Sequence, residues 1–261
     1  MTREERRKKR ARQRQAFLAL CAVMLCLLIW GIFAFVSSIF GTKLDSKIIV
    51  LDPGHGATDI GCSYDGVNEA DINMDIALLL KDLLEKEEYT VVMTHDGSEY
   101  ISPSQRAEFA NDKKAGLFIS IHQNAAEDVP DAEGIETYYN SSNKNAKKLA
   151  KTIHQALIKA TEANDRSYMS RDDLIVTRET DMPSVLIECG FLSNANERYL
   201  LTTAEYQTKI AQAIADAVLE YENNLHLLHT TIRKDGKNPA FSSYFDLIIQ
   251  FVITFAFQTH F

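Results

Sequence analysis

The chain has 261 residues, 46% hydrophobic and 25% charged, which is the profile of a folded protein and excludes a disordered one. The net charge of -8 is unevenly spread: residues 1–15 hold eight Lys/Arg against two Glu, leaving 20 basic and 34 acidic of the 28 and 36 residues for the rest. A body at -14 lacks the basic footprint of nucleic-acid recognition, so no nucleic-acid partner is expected.

Residues 16–40 (AFLALCAVMLCLLIWGIFAFVSSIF) carry no charge over 25 positions, enough to cross a bilayer at about 1.5 Å per residue. The basic run 1–15 before it reads as a cytoplasmic flank by the positive-inside rule, so the chain beyond residue 41 faces outward. The alternative is a cleavable signal peptide that releases a secreted protein. Its apolar core is ordinarily about 7–15 residues long, and only Val36-Ser37-Ser38 resembles an exit site, which favours an uncleaved anchor.

After a short connector, strands and helices alternate. Residues 47–52 (KIIVLD) read as a buried strand, and Ile72, Ile76, Leu79, Leu80, Leu83 and Leu84 recur at helical spacing. Residues 89–93 form a strand. Ser102-Pro103 is an N-cap followed by a first-turn proline, opening a helix to about Lys114. Strands follow at 117–121 (LFISI) and 134–139, then a long amphipathic helix marked by Ala146, Leu149, Ala150, Ile153, Leu157 and Ala160. Residues 174–177 and 184–187 are predicted strands, and Tyr206, Ile210, Ile214, Ala217, Val218 and Tyr221 mark a last helix. This alternation predicts an α/β fold with a largely parallel sheet over 46–222, after one N-terminal transmembrane helix. The tail 223–261 differs. Its run 246–257 (DLIIQFVITFAF) is short for a span and suits a membrane-surface segment or a packed appendage.

Ligands in open α/β sheets gather beyond the carboxyl ends of strands. There the chain places Pro53-Gly54-His55-Gly56, then His122 with Gln123-Asn124, then Glu188, while Glu69 stands at the start of the first amphipathic helix. Singly, each has a plain structural role: a loop histidine, or a carboxylate at a helix start. Glu188, leaving the apolar run Val185-Leu186-Ile187, carries a desolvation cost that pairing or function must offset. Together, two imidazoles and one carboxylate make a three-ligand zinc site with an open fourth position, and a carboxylate that is not a ligand can shuttle the proton. Asp52 is read as orienting a ligand histidine or capping the next turn, and glycines flanking His55 allow a tight turn. His95, His154, His226, His229 and His260 read as solvent-facing or packing residues. Cys21 and Cys26 sit in the apolar run. Cys62 and Cys189 lack C-x-x-C spacing, and either a disulfide or two buried thiols suits them.

The ordered stretches VLDPGHG (50–56), NEADINMDIA (68–77), RAEFAN (106–111), SIHQNA (120–125) and MPSVLIECGFLSN (182–194) resemble the zinc-dependent N-acetylmuramoyl-L-alanine amidases of bacterial cell walls, a family that includes septal and sporulation members. That resemblance implies a mixed six-stranded sheet flanked by helices, Zn2+ held by His55, Glu69 and His122, and Glu188 as the catalytic carboxylate. It implies peptidoglycan as substrate and hydrolysis of the amide between N-acetylmuramic acid and L-alanine. Asn124 and Arg106 match family positions and are candidate substrate contacts, with the His122 loop and helix packing as their plainer roles. Ala57 stands where many members carry a further glycine, and the short acidic stretch 127–133 leaves no room for a long regulatory helix. The short, anchored form resembles sporulation types that act on spore cortex. Vegetative cell separation, a stem-peptide zinc peptidase and a non-catalytic wall-binding module are the alternatives, and an activator protein stays open.

Overall fold

The computed structural model of the chain describes residues 46–235 without interruption, with side chains to residue 224, and scattered positions between 3 and 17. The chain divides into units 1–42 and 43–261. Apart from Phe17, the expected span 16–40 lies outside the described residues, as does the apolar run 246–257. Among the described residues, no helix is long and apolar enough to cross a membrane.

A six-stranded sheet runs in the order β4-β1-β5-β8-β6-β7, built from β1 (Ile48–Pro53), β4 (Thr90–Met93), β5 (Leu117–Asn124), β6 (Ile135–Tyr139), β7 (Asp165–Ser170) and β8 (Ser184–Phe191). β1, β4, β5 and β8 are mutually parallel; β6 turns antiparallel to β8, and β7 runs parallel to β6. The sheet is mixed and mostly parallel, as expected. A small hairpin, β2 (Ser63–Tyr64) with β3 (Val67–Asn68), precedes the first helix.

Burial on both faces explains the near-continuous apolar strands. Ile49, Leu51, Leu117, Ile119, Ile121, Val185 and Ile187 point to one face. They pack under α1 (Glu69–Lys86), α3 (Lys144–Thr161) and α6 (Ala204–Asp235), whose stripes Ile72/Ile76/Leu80/Leu84 and Ile210/Ile214/Val218 meet them. Val50, Phe118, Tyr138 and Leu186 point to the other face, against α2 (Pro103–Asp112) and the one-turn α4 (Ile175–Arg178). Ser102 caps α2 in a full capping box with Gln105, and Pro103 opens it. α5 (Ala195–Leu201), capped by Asn194, follows β8.

One predicted strand is corrected. Residues 174–177 are the N-cap Leu174 and the first three residues of α4, closed by Arg178 N donating to Leu174 O at 3.0 Å. The missing strand is β7 (DRSYMS), an edge element exposed at nearly every position, so it shows no apolar alternation. Its order comes from pairing with β6. The last helix also continues past Tyr221, to Asp235.

Candidate active site

The site begins where β1 ends. His55 (φ 68), Gly56 (φ 122) and Ala57 (φ 54) are all left-handed, a turn that throws the His55 ring up from the strand end. Ala57 holds this backbone without a glycine's freedom. Gly54 is required for a different reason: a Cβ there would lie 2.2 Å from His122 Cε1. Gly61 is required likewise, since its Cβ would meet Glu69 Oε2 at 2.5 Å and His55 Cδ2 at 2.8 Å.

Arg106 ties this loop down from beneath. Its Nη2 donates to His55 O (2.6 Å), Nη1 to Pro53 O and Asp52 Oδ1 (both 2.8 Å), and Nε to Ile101 O (2.8 Å). Arg106 is 4% exposed, so the expected substrate contact is corrected to a structural clamp. Asp52 touches neither ligand histidine directly: it accepts from Arg106, Thr94 Oγ1 and Ser120 Oγ, and it reaches the His55 loop through Arg106. Burial raises the Asp52 pKa, but Arg106 and the two hydroxyls outweigh it and hold the carboxyl below its ordinary value. His95 is buried in the same cluster, its Nε2 2.8 Å from Pro53 O.

Glu69 is the first residue of α1, where the helix dipole favours its charge. Its carboxylate bridges both histidines: Oε1 lies 2.9 Å from His122 Nδ1, and Oε2 lies 3.1 Å from His55 Nε2. The backbone N–H groups of Gln123 and Cys62 donate to the same two oxygens at 3.1 and 3.0 Å. Asn73 binds Gly54 O at 3.0 Å, and Gln123 Nε2 binds Asn73 Oδ1 at 3.1 Å. Sequence reasoning gave neither Asn73 nor Gln123 a role. Asn73 had one legible signal, its i+4 spacing from Glu69 on a single helix face. Asp59, likewise missed, faces His55 Nδ1 at 2.9 Å.

Electrostatics follow from that packing. Burial opposes the charge on Glu69, yet hydrogen bonds from His122 and His55 hold its pKa well below the carboxylate range. Burial likewise disfavours a charged His55, but Glu69 and Asp59 push its pKa up to about 9. His122 is raised against its burial by Glu69 and Glu188.

Glu188 is the reverse case. It sits opposite His122 in the β5–β8 register and opposite Glu136 in the β6–β8 register, so the three side chains share one face. Burial raises its pKa to about 7, with Glu69 and Glu136 adding to the rise and His122 opposing it. Its Oε2 is shut from solvent and has no hydrogen-bond partner among the described residues.

The donor atoms of His55, Glu69 and His122 all lie within 4.8 Å of one another. Ligand atoms about 2.0–2.2 Å from a tetrahedral ion stand roughly 3.3–3.6 Å apart, inside the 4.8 Å that encloses one donor atom from each of the three residues. The residues fit a zinc ion, with an unpartnered carboxylate oxygen of Glu188 nearby.

A family model described as N-acetylmuramoyl-L-alanine amidase matches residues 49–220. The chain belongs to the N-acetylmuramoyl-L-alanine amidase family. Among curated relatives, the germination-specific N-acetylmuramoyl-L-alanine amidase of Bacillus subtilis is 31% identical over 194 residues, covering 68% of this chain and 81% of the relative. An N-acetylmuramoyl-L-alanine amidase of Clostridium difficile 630 is 34% identical in its crystal structure. The match has a TM-score of 0.66 and covers 69% of this chain and 98% of that one. The CwlD amidase of Clostridioides difficile, solved in complex with the GerS lipoprotein, superposes with a TM-score of 0.65 at 34% identity, over 67% and 98% of the two chains.

The remaining predicted positions in this family member fall outside the ligand cluster. Asn124 donates to Glu136 Oε2 at 2.9 Å, and its own Oδ1 accepts from Ala125 N at 2.8 Å in the loop after His122. Cys62 and Cys189 are free thiols, so the disulfide alternative is corrected; Cys62 Sγ faces Gln123 O instead, at 3.7 Å. Burial pushes the Cys62 thiol up to about 12. His154 is a packing residue, set between Thr137 Oγ1 (3.1 Å) and Asp165 Oδ1 (2.9 Å). His226, His229 and His260 lie beyond the described side chains.

Proposed function

We propose that this amidase is a zinc hydrolase that cuts the bond between the lactyl carbonyl of N-acetylmuramic acid and the L-alanine nitrogen of the peptidoglycan stem. The observation that carries the reading is the convergence of His55, Glu69 and His122 beside a carboxylate, Glu188, whose Oε2 has no partner among the described residues. His55, Glu69 and His122 are the proposed ligands. A zinc ion held by them supplies a Lewis acid that polarises the scissile carbonyl and makes water acidic near neutral pH. Glu188 takes a proton from the attacking water and passes it to the alanine nitrogen as the C–N bond breaks. A muramic acid carboxylate and a peptide with a free amino terminus leave. Its partly buried site keeps that proton on the reacting groups and off bulk solvent.

The proposed setting is the outer side of the cytoplasmic membrane, with 16–40 as a single-pass anchor, 1–15 inside and 46–222 as the catalytic domain. The germination-specific relative supports a role in spore peptidoglycan, and the CwlD–GerS complex supports a partner lipoprotein. The test uses the full-length protein on purified vegetative and cortex peptidoglycan, with mass spectrometry of the soluble products. Peptides bearing N-terminal alanine are expected with zinc, and none with chelator or with Glu188→Gln. Peptides cut within the stem would instead make the protein a peptidase, and no release at all would leave a wall-binding module.

A further inference from the structure

A second built cluster adjoins Glu188, on the side away from the metal ligands. One row of residues crosses four strands on one face of the sheet: His122 on β5, Glu188 on β8, Glu136 on β6 and Arg166 on β7. Neighbouring strands lie about 4.8 Å apart, so the Arg166 backbone stands roughly 10 Å from that of Glu188. The register shift between Ile135 and Thr137, with Ser167 at φ 79, gives β7 an extra residue beside Glu136. Asp165 and Tyr168 turn to the opposite face, towards His154 and the α3 side, and Arg166 turns to the face of Glu136.

Arg166 is held at two points. Its Nε donates to Glu136 Oε1 at 2.7 Å, and its guanidinium carbon lies 4.9 Å from the centre of the Phe191 ring. Glu136 is itself fixed, its other oxygen accepting from Asn124 Nδ2 (2.9 Å) and Tyr138 OH (2.5 Å). Both terminal nitrogens of Arg166 make no hydrogen bond among the described residues, and the side chain is 37% exposed. A guanidinium set over a ring and pinned through Nε presents a two-pronged fork, the geometry that receives a planar carboxylate. A purely structural ion pair has no need to leave both prongs open towards solvent beside a reacting centre.

We infer that Arg166 is a specificity-determining residue that binds a carboxylate of the stem peptide on the leaving-group side of the scissile bond. The inference rests on the amidase reading above. An extended peptide advances about 3.3–3.6 Å per residue, so the carboxylate belongs to the first two or three stem residues after the cut. The Glu136 carboxylate, already bonded to Nε, balances the single guanidinium charge and orders the fork, and the terminal nitrogens keep their N–H donors for the substrate carboxylate.

The test compares two N-acetylmuramoyl peptides, identical except that the peptide carboxylates are free in one and amidated in the other, cleaved by the zinc-supplemented full-length protein. A charge-assisted hydrogen bond predicts that the unsubstituted protein prefers the free acid by about tenfold or more in kcat/KM, mostly through KM. Arg166→Gln is expected to collapse that ratio towards one. Arg166→Lys, which keeps the charge but not the fork, is expected to restore part of it and guards against a folding defect in the first variant. Equal cleavage of both peptides by the unsubstituted protein, or a preference that survives in Arg166→Gln, overturns the inference and leaves the amidase reading standing. Cleavage of neither peptide overturns both.

Discussion

Asp52 and Arg106 form an ion pair at 2.8 Å with side chains 1% and 5% exposed, and the same guanidinium holds the backbone carbonyl of His55. Stability and ligand geometry are therefore linked through one residue pair. Breaking a buried pair strands the surviving charge, at a cost of about 3–5 kcal/mol. Arg106→Ala is expected to lose about that much in denaturant unfolding and to lower zinc content as the His55 loop relaxes. Full stability with full zinc content would refute this.

The same pair sets an acid limit. The folded pKa of Asp52 is depressed below its ordinary 3.8, so its contribution is complete above that value and is lost as pH falls through the lower, folded one. Asp52→Asn should remove this part of the acid transition. Unfolding midpoints measured from pH 6 down to pH 2 check it: the gap between the native and substituted proteins should narrow at the acid end.

Glu188→Gln keeps the shape of the side chain and removes its base. Loss of proton transfer is expected to lower kcat by about 10²–10⁴-fold, while bound zinc stays near one per chain. Metal analysis alongside peptide release separates the two. Loss of zinc in this variant would make Glu188 a ligand and not a base.

Metal-free protein should carry protons where the metal goes. Glu69 and Asp59 raise His55 to about 9, so at neutral pH that imidazole is protonated and zinc must displace the proton. Zinc added to chelator-stripped protein in weak buffer is expected to release protons near pH 7. Apparent affinity should climb with pH until it levels off above about 9. A pH-independent affinity across 6–9 would contradict this.

Gly54→Ala tests the close approach of the loop to His122. Its Cβ would sit 2.2 Å from the imidazole, and the ring is trapped between the loop and Glu69. Overpacking of this kind costs about 1–3 kcal/mol, and the displaced ring should also lose zinc. Zinc stoichiometry and thermal unfolding read the two effects independently.

The parts legible in one dimension are those whose signals are local. Ile72, Ile76, Leu80 and Leu84 repeat at the helical period, Ser102-Pro103 carries its capping box, and the apolar runs at β1, β5 and β8 announce buried strands by composition. The strand ends then marked His55, His122 and Glu188, and the start of α1 marked Glu69. The parts that misled or stayed hidden depend on pairing. β7 is polar because it is an edge, and it is a strand only because β6 lies beside it. Arg106 looks like a surface helix residue until α2 packs it under the β1 loop.

From the sequence alone came the chemical inventory: two imidazoles, two carboxylates, the glycines around them, the alternation of elements and the ordered motifs of an amidase family. Residue types, periods and short-range caps need no partner to be read. Tertiary structure alone decided who stands next to whom: Glu69 bridging both histidines, Asp52 turned to Arg106, Cys62 and Cys189 unbonded, and Glu136 between Glu188 and Arg166. Those relationships come from strand register and from burial on the two faces of one sheet. Both join residues far apart in the chain, for which no local propensity carries a signal.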